Sequence, residues 1–179
     1  LHCPGHTLGQ LSFLVNEERI FTGDTLFRGS VGGTRGPGHT SFEDIRHSVL
    51  EVLMRLPPRT IVHPGHTDPT TIAEEWEHNP FVTYWRGAAP SLAEAVTVAG
   101  DTAELVVWSP DYDGNGKALV RFPDGSERIV GGSRVARHDC FDRRDHLGAG
   151  IQNRRSEIHV IQQLQFRRVA GEIGDGVND

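Results

Sequence analysis

The sequence predicts an α/β fold followed by a small antiparallel β module. Three observations predict it. Short apolar runs of strand character end in Thr-Gly-Asp at 22–24 or lead into Pro-Gly-His-Thr, which occurs at 4–7, 37–40 and 64–67. The stretch from Thr40 to Leu56 repeats apolar residues at helical spacing. Beyond Arg86 that period stops, and several short strand patterns follow, separated by turn residues.

Leu11–Val15 and Arg19–Thr22 read as two strands joined by the polar turn Asn16-Glu17-Glu18. Residues 28–38 hold five glycines and read as a loop. Thr40, with Glu43 at capping-box spacing, starts the main helix. Phe42, Ile45, Val49, Leu50, Val52, Leu53 and Leu56 form its apolar face, and Pro57-Pro58 ends it. Thr60–His63 is a short strand entering the third Pro-Gly-His-Thr. A second, shorter helix starts at Thr71, with Glu74 at the capping position, and stops before Pro80. Residues 1–86 thus make the first domain and 87–93 a linker marked by Gly87-Ala88-Ala89-Pro90.

Strands are expected at Ala95–Val98, Ala103–Trp108, Ala118–Phe122 and Glu127–Val130, with turns at Pro110–Gly116 and Pro123-Asp124-Gly125. Residues 94–136 would form a small antiparallel module, drawn as a five-stranded barrel. The tail is 137–179: residues 137–155 are rich in Arg, Asp and His with almost no apolar period, and residues 156–170 suit one amphipathic helix or a strand. Two readings of this tail stay open: a disordered segment, or sequence unrelated to the fold.

Composition excludes several classes. With 36% hydrophobic and 23% charged residues over 179, the chain is ordinary globular material. No apolar run approaches the ~20 residues that span a bilayer. A net charge of −6 argues against nucleic acid, which needs a basic surface to displace counterions. Cys3 and Cys140 form no CxxC pair, so a disulfide framework is not expected and a reducing cytoplasm fits best. The partner expected is a small-molecule substrate, with neither nucleic acid nor membrane.

Imidazole is the commonest side-chain ligand for metals, and a carboxylate beside it suits a hydrolytic zinc or iron site. Pro-Gly turns the chain at a strand end, so each histidine is expected on a loop just past a strand. The spacings therefore point to a metal site assembled from several strand-end loops.

His2-Cys3-Pro4-Gly5-His6-Thr7, Phe21-Thr22-Gly23-Asp24-Thr25-Leu26-Phe27 and Val62-His63-Pro64-Gly65-His66-Thr67 resemble the metallo-β-lactamase superfamily. Pro69-Thr70-Thr71-Ile72 with His78-Asn79-Pro80-Phe81 narrows the resemblance to the glyoxalase II-like (hydroxyacylglutathione hydrolase-like) branch. The resemblance implies an αββα sandwich, with these motifs in its C-terminal half. It also implies that His6 completes the histidine set of a first metal, that Asp24 is the catalytic carboxylate bridging two metals, and that His66 is a ligand of the second. Two zinc ions, with iron as the alternative, would polarise a carbonyl and lower the pKa of bound water to about 7.

The sequence departs from that family in two ways. The motif His-x-His-x-Asp-His, which supplies the remaining ligands, does not occur. The chain is therefore expected to be an N-terminally truncated part of an enzyme, inactive by itself. The loop Arg28-Gly29-Ser30-Val31-Gly32-Gly33-Thr34-Arg35 lacks the Lys and Tyr of glyoxalase II proper, and the following module reads as β rather than helical. Glutathione thioesters are accordingly disfavoured. Arg28 or Arg35 could hold an anion, but solvated surface arginines are the favoured reading.

Other histidines are weighed lower. His39 repeats the motif, yet the family places no ligand there. His63 is expected to pack on its strand end. His2 and His78 are candidates to orient ligands by hydrogen bonds. Cys3 is expected to be a small buried residue. Asp111-Tyr112-Asp113-Gly114-Asn115-Gly116 imitates a calcium loop, but the twelfth position is Phe122 rather than Glu, so a hairpin turn is expected. Trp76, Trp85 and Trp108 are expected in packing.

Three functions follow. The first is a metal-dependent hydrolase of thioesters or esters. The second is a mono-iron persulfide dioxygenase on the same positions. The third is a catalytically inert fragment or interaction module. Half a sandwich leaves one sheet face bare, so a homodimer is expected too.

Overall fold

The computed structural model describes residues 1–36 and 38–137. Residues 138–179, with Cys140 and nearly all of the tail reading, lie outside the described residues. The described part is α/β.

Strands β1 (Phe13–Val15) and β2 (Arg19–Gly23) pair antiparallel through a tight turn. Asn16 and Glu17 both take left-handed backbone, φ 53° and 57°, which suits a hairpin whose strands twist right-handed. Leu11, expected in the first strand, makes only an isolated bridge to His2. A two-stranded hairpin, β3 (Leu26–Phe27) and β4 (Ser30–Val31), occupies the start of the glycine-rich segment expected to be loop. Helix α1 (Phe42–His47) follows.

The capping residue differs from the expectation. Ser41, not Thr40, caps α1: its hydroxyl accepts from the Asp44 N–H, and the Asp44 carboxylate accepts from the Ser41 N–H. Thr40 turns instead to the first loop, where its N–H and its hydroxyl both donate to the Gly5 carbonyl. The expected helix does reach residue 55, but as three kinds of turn. After α1 come a wide π-turn at Ser48–Val52 and a 3₁₀ turn at Leu53–Arg55. Single π-turns recur next to functional sites.

β5 (Ile61–Pro64) lies parallel to β2, and β6 (Thr70–Thr71) pairs with β5, giving the sheet order β1-β2-β5-β6. Thr71 caps α2 (Ile72–His78) as the sequence predicts. The structure adds α3 (Pro80–Trp85), which the sequence reading did not include. Asn79 caps it with its side chain, and Pro80 sits at the first turn, where a missing N–H costs nothing. One face of the sheet is buried, with Ile20 and Val62 fully enclosed. The other carries Phe13 beside Phe21, 62% and 46% exposed, and Phe21 beside His63.

The β module has five strands: β7 (Glu94–Val98), β8 (Asp101–Ser109), β9 (Lys117–Arg121), β10 (Glu127–Gly131) and β11 (Val135–Arg137). All pair antiparallel, in the order β10-β9-β8-β7-β11. Only a 3₁₀ turn at Gly132–Arg134 joins the two edge strands. Such a link spans at most ~14 Å, whereas four strand spacings in a flat sheet need ~19 Å. The sheet therefore curls toward a barrel.

Its concave side has its own core of Val96, Val98, Ala103, Leu105, Ala118, Val120 and Val130. Its convex side gives Val106, Val107, Leu119 and Ile129 to the cluster that also holds Ile20, Ile45, Val62, Phe81 and Trp85. A bulge between Leu105 and Val107 lets two successive valines face that cluster.

Candidate metal centre

The geometry of the sheet places the site. In α/β sheets ligands bind beyond the carboxyl ends of parallel strands. β2 and β5 are the parallel pair, and Asp24 and His66 follow them directly. Gly23, at φ 52°, turns the chain out of β2, and its carbonyl accepts from the Gly65 N–H at 2.9 Å, tying the two loops together. His6 arrives on the first Pro-Gly-His-Thr loop, which rests on α1. A Cβ at Gly5 would collide with Ile45, and Gly5 has a left-handed φ of 142°.

The three sequence-predicted site residues come together. His6 Nε2 lies 3.6 Å from Asp24 Oδ2, and His66 Nε2 lies 3.7 Å from Asp24 Oδ1. The carboxylate thus faces two different imidazoles with its two oxygens. All three side chains are part-exposed. His6 Nδ1 donates to the Gly33 carbonyl at 3.0 Å, which fixes the ring and turns Nε2 toward Asp24. Space around the carboxylate is tight: a Cβ at Gly65 would stand 2.5 Å from Asp24 Oδ1, and one at Gly32 would strike the Asp24 carbonyl. Thr67, a β-branched residue, has φ 70°, a strained backbone just after His66. Its hydroxyl accepts from the Arg28 N–H.

This donor set fits divalent metal. Imidazole Nε2 and carboxylate oxygen are zinc and iron ligands, and His6 is already oriented as a ligand would be. Among the described residues no group of three or more His, Cys, Asp or Glu closes on a single ion. The arrangement instead gives one imidazole and one carboxylate oxygen to each of two positions.

Comparison with known proteins bears on these loops. No family model matches the chain. An uncharacterized protein of Aquifex aeolicus is 48% identical over 83 residues, 45% of this chain and 38% of that protein. The hydroxyacylglutathione hydrolase GloC of Haemophilus influenzae is 40% identical over 83 residues, 46% of this chain and 39% of that protein. A Streptococcus pyogenes protein bearing the name probable metallo-hydrolase is 42% identical over 82 residues, 45% of this chain and 35% of that protein. This chain is a partial match to the metallo-β-lactamase superfamily.

The chain spans less than two-fifths of the length of these curated relatives. Among solved structures, the BLEG-1 B3 metallo-β-lactamase is 40% identical over 46% of this chain and 40% of that one, with a TM-score of 0.45. Overlap this partial adds nothing to the argument from the sequence relatives.

Beside the metallo-β-lactamase-like loops stand one residue that the sequence reading passed over, Tyr112, and one that it weighed low, His39. Tyr112 stacks on His66, ring centroids 4.0 Å apart and planes 15° apart. The segment 110–116 is the expected hairpin turn, between β8 and β9, and no signal in it foretold an approach to the site. The His39 ring lies 4.6 Å from that of His6. Burial and then the His6 charge hold the His39 imidazole below its ordinary pKa.

The remaining candidates sit elsewhere. His63 stacks on Phe21 at 4.9 Å. The His2 ring pairs with the Leu8 carbonyl rather than with a ligand histidine. His78 is exposed at the end of α2, as are Arg28 and Arg35 on their loop. Cys3 is fully buried and free, and burial raises its thiol pKa, so it stays protonated.

Trp85 packs in the core, while Trp76 is 37% exposed under the Arg86 guanidinium. No helix among the described residues is long and apolar enough to cross a membrane.

Proposed function

We propose that this chain carries part of a binuclear metal centre of a hydrolase acting on thioesters or related esters. The observation that carries the reading is the single carboxylate of Asp24 facing His6 with one oxygen and His66 with the other. That is the arrangement a bridging ligand needs. Zinc is the ion we assign, with iron as the alternative. When bound, the ions supply a Lewis acid and a water acidic enough to ionise near neutral pH.

The residues of this chain have distinct parts. Asp24 keeps the two positions at a fixed separation. His6 is aligned by the Gly33 carbonyl, and His66 by the ring packed on it. Tyr112 and Arg28, both exposed, would flank a small acyl substrate on the solvent side of the site. Further ligands must come from polypeptide other than the described residues, because two donors per ion leave each coordination sphere short. A cytoplasmic setting accords with the free Cys3 thiol.

The test is elemental analysis of the purified chain and of its His66→Ala and Asp24→Ala variants, followed by thioester hydrolysis assays on any metal-loaded form. Zinc that falls in both variants supports the reading. Iron in its place moves the reading to oxygen chemistry. Equal metal in all three, or full hydrolysis by Asp24→Ala, overturns it.

A further inference from the structure

Both candidate ligand histidines are held by contacts that lead into the β module. His66 makes no hydrogen bond to any described residue beyond its approach to Asp24; its ring lies against Tyr112 and, at 5.8 Å, Phe27. Tyr112 in turn sits on a fixed turn. The Asp111–Lys117 ion pair closes the base of that turn at 2.8 Å with both side chains nearly buried. The Gly114 N–H donates to the Asp111 carbonyl and the Asn115 N–H to Asp113 Oδ1. Ser109, the last residue of β8, is fully buried and bonds through its hydroxyl to Ser30, the first residue of β4.

His6 is served by the same sheet through β10. Its Nδ1 partner is the Gly33 carbonyl, and the next residue pairs with β10. The Thr34 N–H donates to the Ile129 carbonyl, and the Ile129 N–H donates to the Thr34 hydroxyl, each at 3.3 Å. Ile129 is fully buried in the shared core, so this pairing is anchored.

We propose that the β module is a positioning element of the metal centre: Tyr112 holds the His66 ring by stacking, and the Thr34–Ile129 pairing fixes the carbonyl that orients His6. The inference rests on the metal reading given above. A free imidazole loses rotamer freedom when it ligates, and a ring already pinned has less to lose. Hydrogen-bond partners, when removed from ligand histidines, cost about 10- to 100-fold in metal affinity; a stacked ring is worth less, about 2- to 10-fold.

The experiment titrates zinc chloride into the full chain against a chromophoric chelator, and cobalt(II) for its absorption bands. The variants are His66→Ala, Tyr112→Ala, Tyr112→Phe and Thr34→Val. Tyr112 is 55% exposed, so its replacement leaves the core intact. Tyr112→Ala is expected to bind about 2- to 10-fold more weakly with altered cobalt bands. Tyr112→Phe, which keeps the ring, is expected to bind like the parent. Thr34→Val is expected to weaken uptake as well.

Tyr112→Ala binding like the parent while His66→Ala loses metal overturns the inference and leaves the metal reading intact. If the parent itself takes up no zinc, the metal reading fails for this chain alone, and acylation of the metal-free histidines by diethyl pyrocarbonate decides the inference. His66 modified faster in Tyr112→Ala, with His63 unchanged, supports it; equal rates refute it.

Discussion

The Ser48 hydroxyl donates to the Pro4 carbonyl at 2.7 Å, joining the wide turn that follows α1 to the loop that carries His6. Ser48 is fully buried and Pro4 half-buried, so the bond lies at the edge of the interior. Ser48→Ala is expected to cost about 0.5–1.5 kcal/mol, the net contribution of one hydrogen bond. Urea unfolding should show a lower midpoint with an unchanged slope. An unshifted midpoint contradicts the assignment.

Gly65 separates its loop from the Asp24 carboxylate by the width of a missing Cβ. Gly65→Ala should push Asp24 away from one imidazole and weaken metal uptake by at least about 10-fold. The Tm should move little by comparison, because the site is part-exposed. Metal titration beside thermal unfolding checks both halves of that statement.

Glu75 is buried at 1% exposure and accepts from the Gly29 N–H, the Thr70 hydroxyl and the Asn79 amide. It clamps α2 to the β3–β4 hairpin. Glu75→Leu strands three donors, two of them on the buried residues Thr70 and Asn79, and should destabilise by about 2 kcal/mol or more. Thermal unfolding that leaves the variant as stable as the parent disproves this role.

Phe13 and Phe21 form an exposed apolar pair on the bare sheet face next to the edge strand β1. Exposed faces and edges of this kind draw in other chains. Self-association that grows with concentration is expected in sedimentation velocity, and Phe13→Lys should reduce it. A parent chain that stays monomeric at every concentration speaks against the expectation.

Glu94 binds Arg137 through both guanidinium contacts, 2.6 and 2.9 Å, and so fastens β11 to β7. The Arg137 hydrogen bond holds the Glu94 carboxyl below its ordinary pKa. A lowered folded-state value means that the pair stabilises fully above the ordinary Glu value, about 4.3, and loses that contribution as pH falls through the folded value. The Tm gap between the parent and Glu94→Gln should therefore be complete at neutral pH and close in acid.

The elements were legible where local chemistry decides them. Alternation gave the strands of the β module, and Thr71 with Glu74 marked α2. The cap of α1 was misread because Thr40 and Ser41 both have capping chemistry, and a tertiary partner, the Gly5 carbonyl, claimed Thr40. Helix α3 was passed over because Pro80 reads as a stop for α2 and equally as a first turn. His6, Asp24 and His66 could be grouped from their loops, since strand ends converge. Tyr112 could not, because nothing local tells a hairpin turn which surface its aromatic ring will meet.

The convex face of the curled sheet has a consequence for anyone building chimeras. Residues 94–137 look like a cassette that could be exchanged between proteins at the Gly87–Pro90 seam. Yet Val106, Val107, Leu119 and Ile129 are interior to the preceding α/β layer. A swapped cassette would import foreign packing into that interior, so grafts should succeed only when these four residues travel with it in register.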